Sequence, residues 1–565
     1  MTEYERWLSQ SLEDPKLTEE LEAVRGNEEE INDRFYQDLA FGTAGLRGVL
    51  GAGTNRMNIY TVRKATQGIA NYLNKRKTGA SVAIAYDSRI NSELFARETA
   101  AVFAANGVHA HLYPRLTPTP TLSFAVRYLK CDAGVCITAS HNPAKYNGYK
   151  AYGSDGCQIT SEMANDVSAE IAATDIFEGV RCMSFDEGMK QDLISWIPDK
   201  VMDEFLSAVE SQKMIDEPCT GLKVVYTPLN GTGLIPVKRI LDRIGVEEVT
   251  VVPEQEQPDG NFTTCPFPNP EIREALQKGL ELCEKVHPDL LLATDPDADR
   301  CGIAVKQNGE YRLMTGNEVG VLLLDFIARR RMERGDMPKD PIAVTTIVST
   351  DMATPVAEHY GATCVRILTG FKYIGDQIAL LEEKGEEDRF LLGFEESYGY
   401  LSGGYVRDKD AVDASMLICQ MAWYYKQKGM TLADAMDALY EQFGYYKNDV
   451  ANFAFEGEDG MKAMASIMDS LRANAPAEIA GWKVIGWSDY QASVRSDAGV
   501  ETAITLPKSN VLEYRLENGA KLIVRPSGTE PKIKVYLSGK GATDAESREV
   551  VERLRAQAKP LLGIA

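Results

Sequence analysis

Residues 289–300, DLLLATDPDADR, start as an unbroken apolar run and end in aspartates at alternate positions, Asp295, Asp297 and Asp299. An apolar run bounded by turn formers reads as a strand covered on both faces, the kind found in layered α/β sheets. The same signature recurs on either side. SVAIAYDSR (81–89) lies between helical stretches at 59–75 and 93–106, and GLKVVYTPLNGTG (221–233) leads into a helix near 236–244. PIAVTTIVST (341–350) starts a third round, continued by ATCVRILTGFKYIG and RFLLGFEESYGY. Strands alternating with helices predict α/β units. The first fifty residues are charged and helical, and the glycine-rich FGTAGLRGVLGAGTNRMN (41–58) interrupts them with turns. After a helix-rich stretch at 411–443 the pattern changes: KLIVRPSGTEPKIKVYLSG reads as a hairpin, and a helix is expected over 544–558. The expectation is three consecutive mixed α/β domains (1–210, 211–310 and 311–445) and a smaller C-terminal α+β domain (446–565), arranged around a central cleft.

Composition narrows the function. A chain of 565 residues has room for about three to five domains, and 44% hydrophobic content excludes a disordered chain. The 61 basic side chains against 83 acidic ones give a net charge of -22, which argues against nucleic acid or an anionic membrane as partner. No run approaches the ~20 apolar residues of a membrane helix. The acidic start, MTEYERWLSQSLED, lacks the basic and apolar segments of a signal peptide. The ten cysteines form no CxxC pair and read as buried, reduced thiols in a cytoplasmic protein. The sequons at Asn230 and Asn261 carry no weight in that setting.

Four segments, one per expected domain, carry chemistry. In CITASHNPAKYNGYK (136–150) an apolar strand delivers Ser140 to a polar turn with His141. A serine in such a turn is ordinarily a cap, and G-x-S-x-G is absent. In DPDADR the three carboxylates can converge on one hard cation, because oxygen ligands favour Mg²⁺ or Ca²⁺ over zinc. The EF-hand pattern fails: its glycine and glutamate positions hold Arg300 and Lys306. RPSGTEPKIK (525–534) offers Arg525, the hydroxyls of Ser527 and Thr529, and the backbone of Gly528 as a phosphate cradle, without the GxxxxGK[ST] of a nucleotide loop. GFEESYGY, with Glu395 and Ser397, supplies acceptors for paired sugar hydroxyls, although an EE pair is commonly a surface turn.

TASHNP, DPDADR, GFEES and RPSGTEPK, in that order, resemble the signature loops of the α-D-phosphohexomutase family across nearly the whole chain. GTAGLRG and the chain length resemble its longer bacterial phosphoglucomutase branch, which is related to phosphopentomutase. The resemblance implies that Ser140 carries a phosphoryl group and that Asp295, Asp297 and Asp299 bind Mg²⁺ together with a phosphoserine oxygen of Ser140. It implies that Lys150 is an acid/base group, with Arg47 and Arg300 as cationic neighbours. Substrate contacts are expected at His141, Arg300, Thr369, Gly370, Lys372, Glu395, Ser397, Arg525, Ser527, Gly528 and Thr529. The implied reaction interconverts glucose 1-phosphate and glucose 6-phosphate, with glucose 1,6-bisphosphate as intermediate and activator. Some mannose-directed relatives place a histidine after the sugar loop. Here Tyr398, Gly399 and Tyr400 stand there, and Lys409 in RDKDAV is the nearest basic candidate, which tilts the expectation to glucose. Phosphomannomutase or phosphopentomutase activity, or a Mg²⁺-dependent sugar phosphatase, are the alternatives. A monomer or dimer acting on a phosphorylated hexose is expected, with Arg47, Lys150, Arg300, Lys372, Lys409 and Arg525 converging on one cleft.

Overall fold

The structure, a computed structural model, describes residues 2–43, 45–455, 457–527 and 532–564. Its first sheet comprises β1 (Leu46–Val49), β2 (Ser81–Tyr86), β3 (His109–Leu112), β4 (Ala133–Ile137), β5 (Tyr146–Gly153) and β6 (Ile194–Trp196), in the order β1-β5-β4-β2-β3-β6. Strands joined by helical crossovers pair in parallel: β2 with β3, β2 with β4, and β3 with β6. The connection from β4 to β5 is too short for a crossover, so that pair is antiparallel, as is β5 with β1. That short connection is the Ser140 turn.

The second sheet repeats the device. β7 (Lys223–Thr227), β8 (Glu248–Val251), β9 (Leu290–Thr294), β10 (Cys301–Gln307) and β11 (Glu310–Met314) run in the order β11-β10-β9-β7-β8. β7 is parallel to β8 and β9, whereas β9, β10 and β11 are antiparallel neighbours. The tight link between β9 and β10 is the aspartate turn. A third sheet contains β12 (Ile342–Thr346), β13 (Thr363–Ile367) and β14 (Phe390–Phe394), with β12 between the other two and parallel to β13. The C-terminal sheet runs in the order Tyr445–Ala454, Lys532–Gly541, Lys521–Pro526, Leu512–Leu516, Trp482–Asp489, Val494–Asp497 and Val500–Ala503. The expected hairpin is there, with Lys521–Pro526 antiparallel to Lys532–Gly541.

The chain forms two compact units: Met1–Met314 with Ile374–Phe390 and Tyr398–Thr431, and Thr315–Tyr373 with Leu391–Ser397 and Leu432–Ala565. Four helices fall where the sequence puts them, at Ile59–Asn74, Ser92–Ala105, Leu234–Arg243 and Asp544–Leu561, the last running a turn further than expected. All ten cysteines are free thiols, but Cys182 is exposed and Cys364 only partly covered, because neither lies on a fully covered element. Among the described residues no helix is long and apolar enough to cross a membrane.

The core of the first sheet reaches back to the N-terminus. Thr2 and Glu5 cap the helix Glu3–Leu8 reciprocally. That helix carries Trp7 into full burial, edge-on to Phe35, Tyr60 and Phe177 with ring centroids 5.9, 5.5 and 5.2 Å away. Tyr60 belongs to the helix Ile59–Asn74, whose amide groups are capped by the Asn58 side chain. Trp7→Ala is therefore expected to destabilise this unit by about 3–5 kcal/mol, measured by urea unfolding followed by circular dichroism. A change below about 1 kcal/mol would show that the N-terminal helix contributes little to the core.

Candidate active site

Both chemical turns of the first unit owe their shape to left-handed residues. Ser140 has φ 52° and is buried, and its amide donates to Thr138 Oγ1 at 2.8 Å. Ala298, in the aspartate turn, has φ 48°, and its amide donates to the Asp295 carbonyl at 2.9 Å. Curling of that turn folds the three aspartates inward, where all are buried and offer oxygens within 4.8 Å of one another. Close approach from behind needs Gly231, whose Cβ would stand 2.4 Å from Pro296 Cα.

The serine and the aspartates meet directly: Ser140 Oγ donates to Asp295 Oδ2 at 2.9 Å. The other Asp295 oxygen accepts from the amides of Asp299 (3.1 Å) and Arg300 (2.9 Å). Asp297 Oδ2 accepts from Lys150 Nζ and Thr119 Oγ1, both at 2.8 Å, and Asp299 Oδ2 lies 3.2 Å from Lys150 Nζ and 3.1 Å from Lys409 Nζ. Strand register places Lys150, since β5 sets it opposite Cys136, just before the serine turn. Asp297 Oδ1 and Asp299 Oδ1 are buried with no hydrogen-bond partner among the described residues. Orphaned carboxylate oxygens facing a like-charged neighbour are what a hard cation would satisfy, so the donor set fits a metal of the Mg²⁺ type.

Electrostatics in the cluster follows from burial. Burial and the charges of Asp297 and Asp299 hold the Asp295 carboxyl well above its ordinary range. Burial opposes ionisation of Asp297 too, but the Lys150 ammonium and the bonds it receives outweigh this and keep it ionised. Lys150 loses solvation, yet Asp297, Asp299 and Asp408 raise its affinity for the proton well above the ordinary value, so it is a proton holder here. His141, with Nδ1 3.2 Å from Ser140 Oγ, is kept neutral by burial and by the charges of Arg300 and Arg47.

Four of the six expected cations belong to the first unit, and two of them reach the aspartates. Lys150 and Lys409 touch the aspartates, Arg47 donates to Asn142 Oδ1 at 3.2 Å, and Arg300 pairs with Glu271. Lys372 and Arg525 belong to the second unit, as do Thr369, Gly370, Glu395 and Ser397. There the Gly370 amide donates to Glu395 Oε1 at 2.9 Å, and Thr369 Oγ1 is buried without a hydrogen-bond partner among the described residues. Lys372 Nζ lies 4.9 Å from the Tyr373 ring centre. The Tyr536 hydroxyl is pushed up to about 12 by burial and by the Glu396 charge, with Arg525 acting in the opposite direction. The Ser527 amide closes the hairpin onto the Lys532 carbonyl at 2.7 Å. Gly528 and Thr529, also expected in the cradle, lie outside the described residues.

Sequence reading missed three supporting residues. Thr119 holds Asp297 by both its hydroxyl and its amide, the latter on the Asp297 carbonyl at 2.9 Å. Asp408 accepts from Lys409 Nζ (3.1 Å), Tyr152 OH (2.8 Å) and Gln158 Nε2 (3.0 Å), steering Lys409 towards Asp299. The RDKD context was visible, but its partner Tyr152 comes from a distant strand and carried no local signal. Gly399 makes room, since a Cβ there would stand 2.3 Å from Lys409 Cδ.

A buried acidic turn against a serine hydroxyl, flanked by lysines, has the groups that metal-assisted phosphoryl transfer requires. The chain matches sequence profiles for phosphoglucomutase/phosphomannomutase alpha/beta/alpha domains I (38–176), II (203–309) and III (315–443), and for the C-terminal domain (456–557). It belongs to the phosphoglucomutase/phosphomannomutase family, within the α-D-phosphohexomutase superfamily. It is similar to a phosphoglucomutase of Staphylococcus haemolyticus (strain JCSC1435), 37% identical over 511 residues, 89% of this chain and 91% of that one. It is also similar to one of Staphylococcus aureus (strain bovine RF122 / ET3-1), 38% identical over 516 residues, 90% and 91% of the two chains. A solved phosphoglucomutase/phosphomannomutase family protein from Burkholderia thailandensis shares the fold, with TM-score 0.67 at 18% identity, covering 92% of this chain and 97% of that one.

The Lys409 loop is anchored by two buried carboxyls. Asp410 caps the helix Ala411–Gln427 and accepts from Tyr405 OH at 2.7 Å, and Asp413 accepts from the Ser402 amide and hydroxyl, both at 2.8 Å. Burial raises Asp410 to about 6, and burial with the Asp410 charge raises Asp413 to about 8. The unfolded chain releases the Asp413 proton near 3.8 while the folded chain keeps it to about 8. Stability should therefore fall as pH rises through that window. Asp413→Asn is expected to flatten this fall, so that its thermal midpoint gains on wild type between about pH 5 and about pH 8. Parallel pH profiles for the two proteins would contradict the assignment.

Proposed function

We propose that the chain is a phosphoglucomutase that interconverts glucose 1-phosphate and glucose 6-phosphate through a phosphoryl group carried on Ser140, with glucose 1,6-bisphosphate as intermediate and activator. The observation carrying this reading is Ser140 Oγ at 2.9 Å from Asp295, inside a buried carboxylate turn with two unsatisfied oxygens. Asp295, Asp297, Asp299 and the Ser140 oxygen would hold Mg²⁺. When bound, that ion supplies neutralisation of the charge on the transferring phosphoryl group.

The chain's own residues would do the rest. The bond from phosphorus to Ser140 Oγ breaks as one to a sugar hydroxyl oxygen forms. Lys150, protonated beside the serine turn, can give its proton to the leaving serine oxygen and take in its place the one that the attacking sugar hydroxyl gives up, so that no proton is lost over the step. Lys409 and Arg47 offset negative charge, and His141 and Arg300 contact the phosphoryl group. Glu395 and Ser397 are assigned to sugar hydroxyls, Thr369, Gly370 and Lys372 to their surroundings, and Arg525, Ser527, Gly528 and Thr529 to the phosphate that does not react. The bisphosphate then reverses orientation and returns its original phosphate to Ser140. The free thiols fit a cytoplasmic setting.

Glucose 1-phosphate with Mg²⁺ and a trace of glucose 1,6-bisphosphate should yield glucose 6-phosphate without stoichiometric free phosphate, and faster than mannose 1-phosphate or ribose 1-phosphate reacts. Phosphate release without glucose 6-phosphate would make the protein a phosphatase instead. Ser140→Ala should abolish the phosphoprotein and reduce kcat by at least about 1,000-fold, since covalent transfer loses its carrier; a fully active variant refutes the assignment. Asp297→Asn should raise the Mg²⁺ concentration for half-maximal rate about tenfold or more, and an unchanged metal response would place the ion elsewhere.

A further inference from the structure

The Ser140 turn carries a cost that its own residues cover only at Pro143, whose carbonyl also accepts from the Tyr146 amide at 3.0 Å. It holds a non-glycine residue in the left-handed region and turns four carbonyls, those of Ser140, Asn142, Pro143 and Tyr146, away from any strand partner. All four converge on one guanidinium. Arg89 Nη1 donates to the carbonyls of Pro143 and Tyr146, both at 3.1 Å, and Nη2 donates to those of Ser140 and Asn142. Arg89 is buried, its Nε lies 3.3 Å from Asp87 Oδ2, and the Phe262 ring centre stands 5.0 Å from its guanidinium carbon. Asp87 is fixed in turn by the Arg89 amide at 2.9 Å and Ser92 Oγ at 2.7 Å.

A planar fork of N–H donors can gather carbonyls from both ends of a turn at once, which an ammonium on a flexible stem cannot do. The acceptors are main-chain groups, so the clamp acts on backbone path and leaves the Ser140 hydroxyl available. An ion pair buried in this way is no gain in stability over well-packed apolar residues. Its geometry instead serves orientation, because small misplacement of a reacting atom costs rate heavily.

We propose that Arg89, held by Asp87, is a positioning residue that fixes Ser140 for phosphoryl transfer. The proposal rests on the mutase reading. Its test compares wild type, Arg89→Lys and Arg89→Ala for thermal midpoint, kcat and KM with glucose 1-phosphate. Intact mass after incubation with glucose 1,6-bisphosphate and Mg²⁺ reports the phosphoprotein. Arg89→Lys keeps a cation beside Asp87 and is expected to fold, to lose about 100-fold in kcat and to change KM by less than about threefold. Methylguanidinium should restore at least about tenfold of the lost rate in Arg89→Ala and nothing in Ser140→Ala. Folded Arg89→Lys with kcat within about threefold of wild type overturns the proposal, as does folded Arg89→Ala that methylguanidinium does not rescue. If Arg89→Ala does not fold, the kcat and KM of Arg89→Lys decide. A wild-type protein that takes up no phosphoryl group overturns the mutase reading itself, whereas a phosphorylated wild type with an unimpaired Arg89→Lys overturns only the part given to Arg89.

Discussion

Three carboxylates buried within 4.8 Å of one another are the constraint on which the first unit depends. Removing each ionised carboxylate from water costs several kcal/mol, and mutual repulsion adds to it. The fold answers with fixed positive charge. Lys150 and Lys409 are brought in from separate strands and loops, Thr119 and main-chain amides donate to the remaining lone pairs, and two oxygens are left over for a cation. Asp408 with Tyr152 then stabilises Lys409, so the need for compensation spreads outward from the turn.

The two chemical turns share an architectural origin. Each sheet is parallel where helices cross over it and first turns antiparallel at a short connection, β4 to β5 or β9 to β10. A tight connection leaves main-chain groups unpaired by strands and therefore able to bind side chains or ligands. In the aspartate turn those groups are used on Asp295, and in the serine turn they are drawn together by Arg89. Left-handed Ser140 and Ala298 are the local strain that this geometry requires.

Much of this was legible in the residues. Apolar runs such as LLLAT and SVAIAY identify strands because burial on both faces removes polar alternation. Alternate aspartates and the serine turn advertise themselves because their chemistry is contiguous in the chain. Arg89, Thr119 and Asp408 were not legible: each acts on residues more than fifty positions away, or through partners supplied by another strand. Exposed Cys182 was misread for a related reason, since cysteine count and spacing say nothing about coverage by other elements.

By itself the sequence determined the α/β class, the order of the four chemical segments and the residue types available for phosphate, metal and sugar, because local patterning and contiguous motifs encode these. Only tertiary structure decided that Lys150 meets Asp297, that Lys409 is steered by Asp408, and that two aspartate oxygens stay unsatisfied. Those outcomes depend on strand register and on desolvation. Both arise from contacts between parts of the chain that no local pattern links.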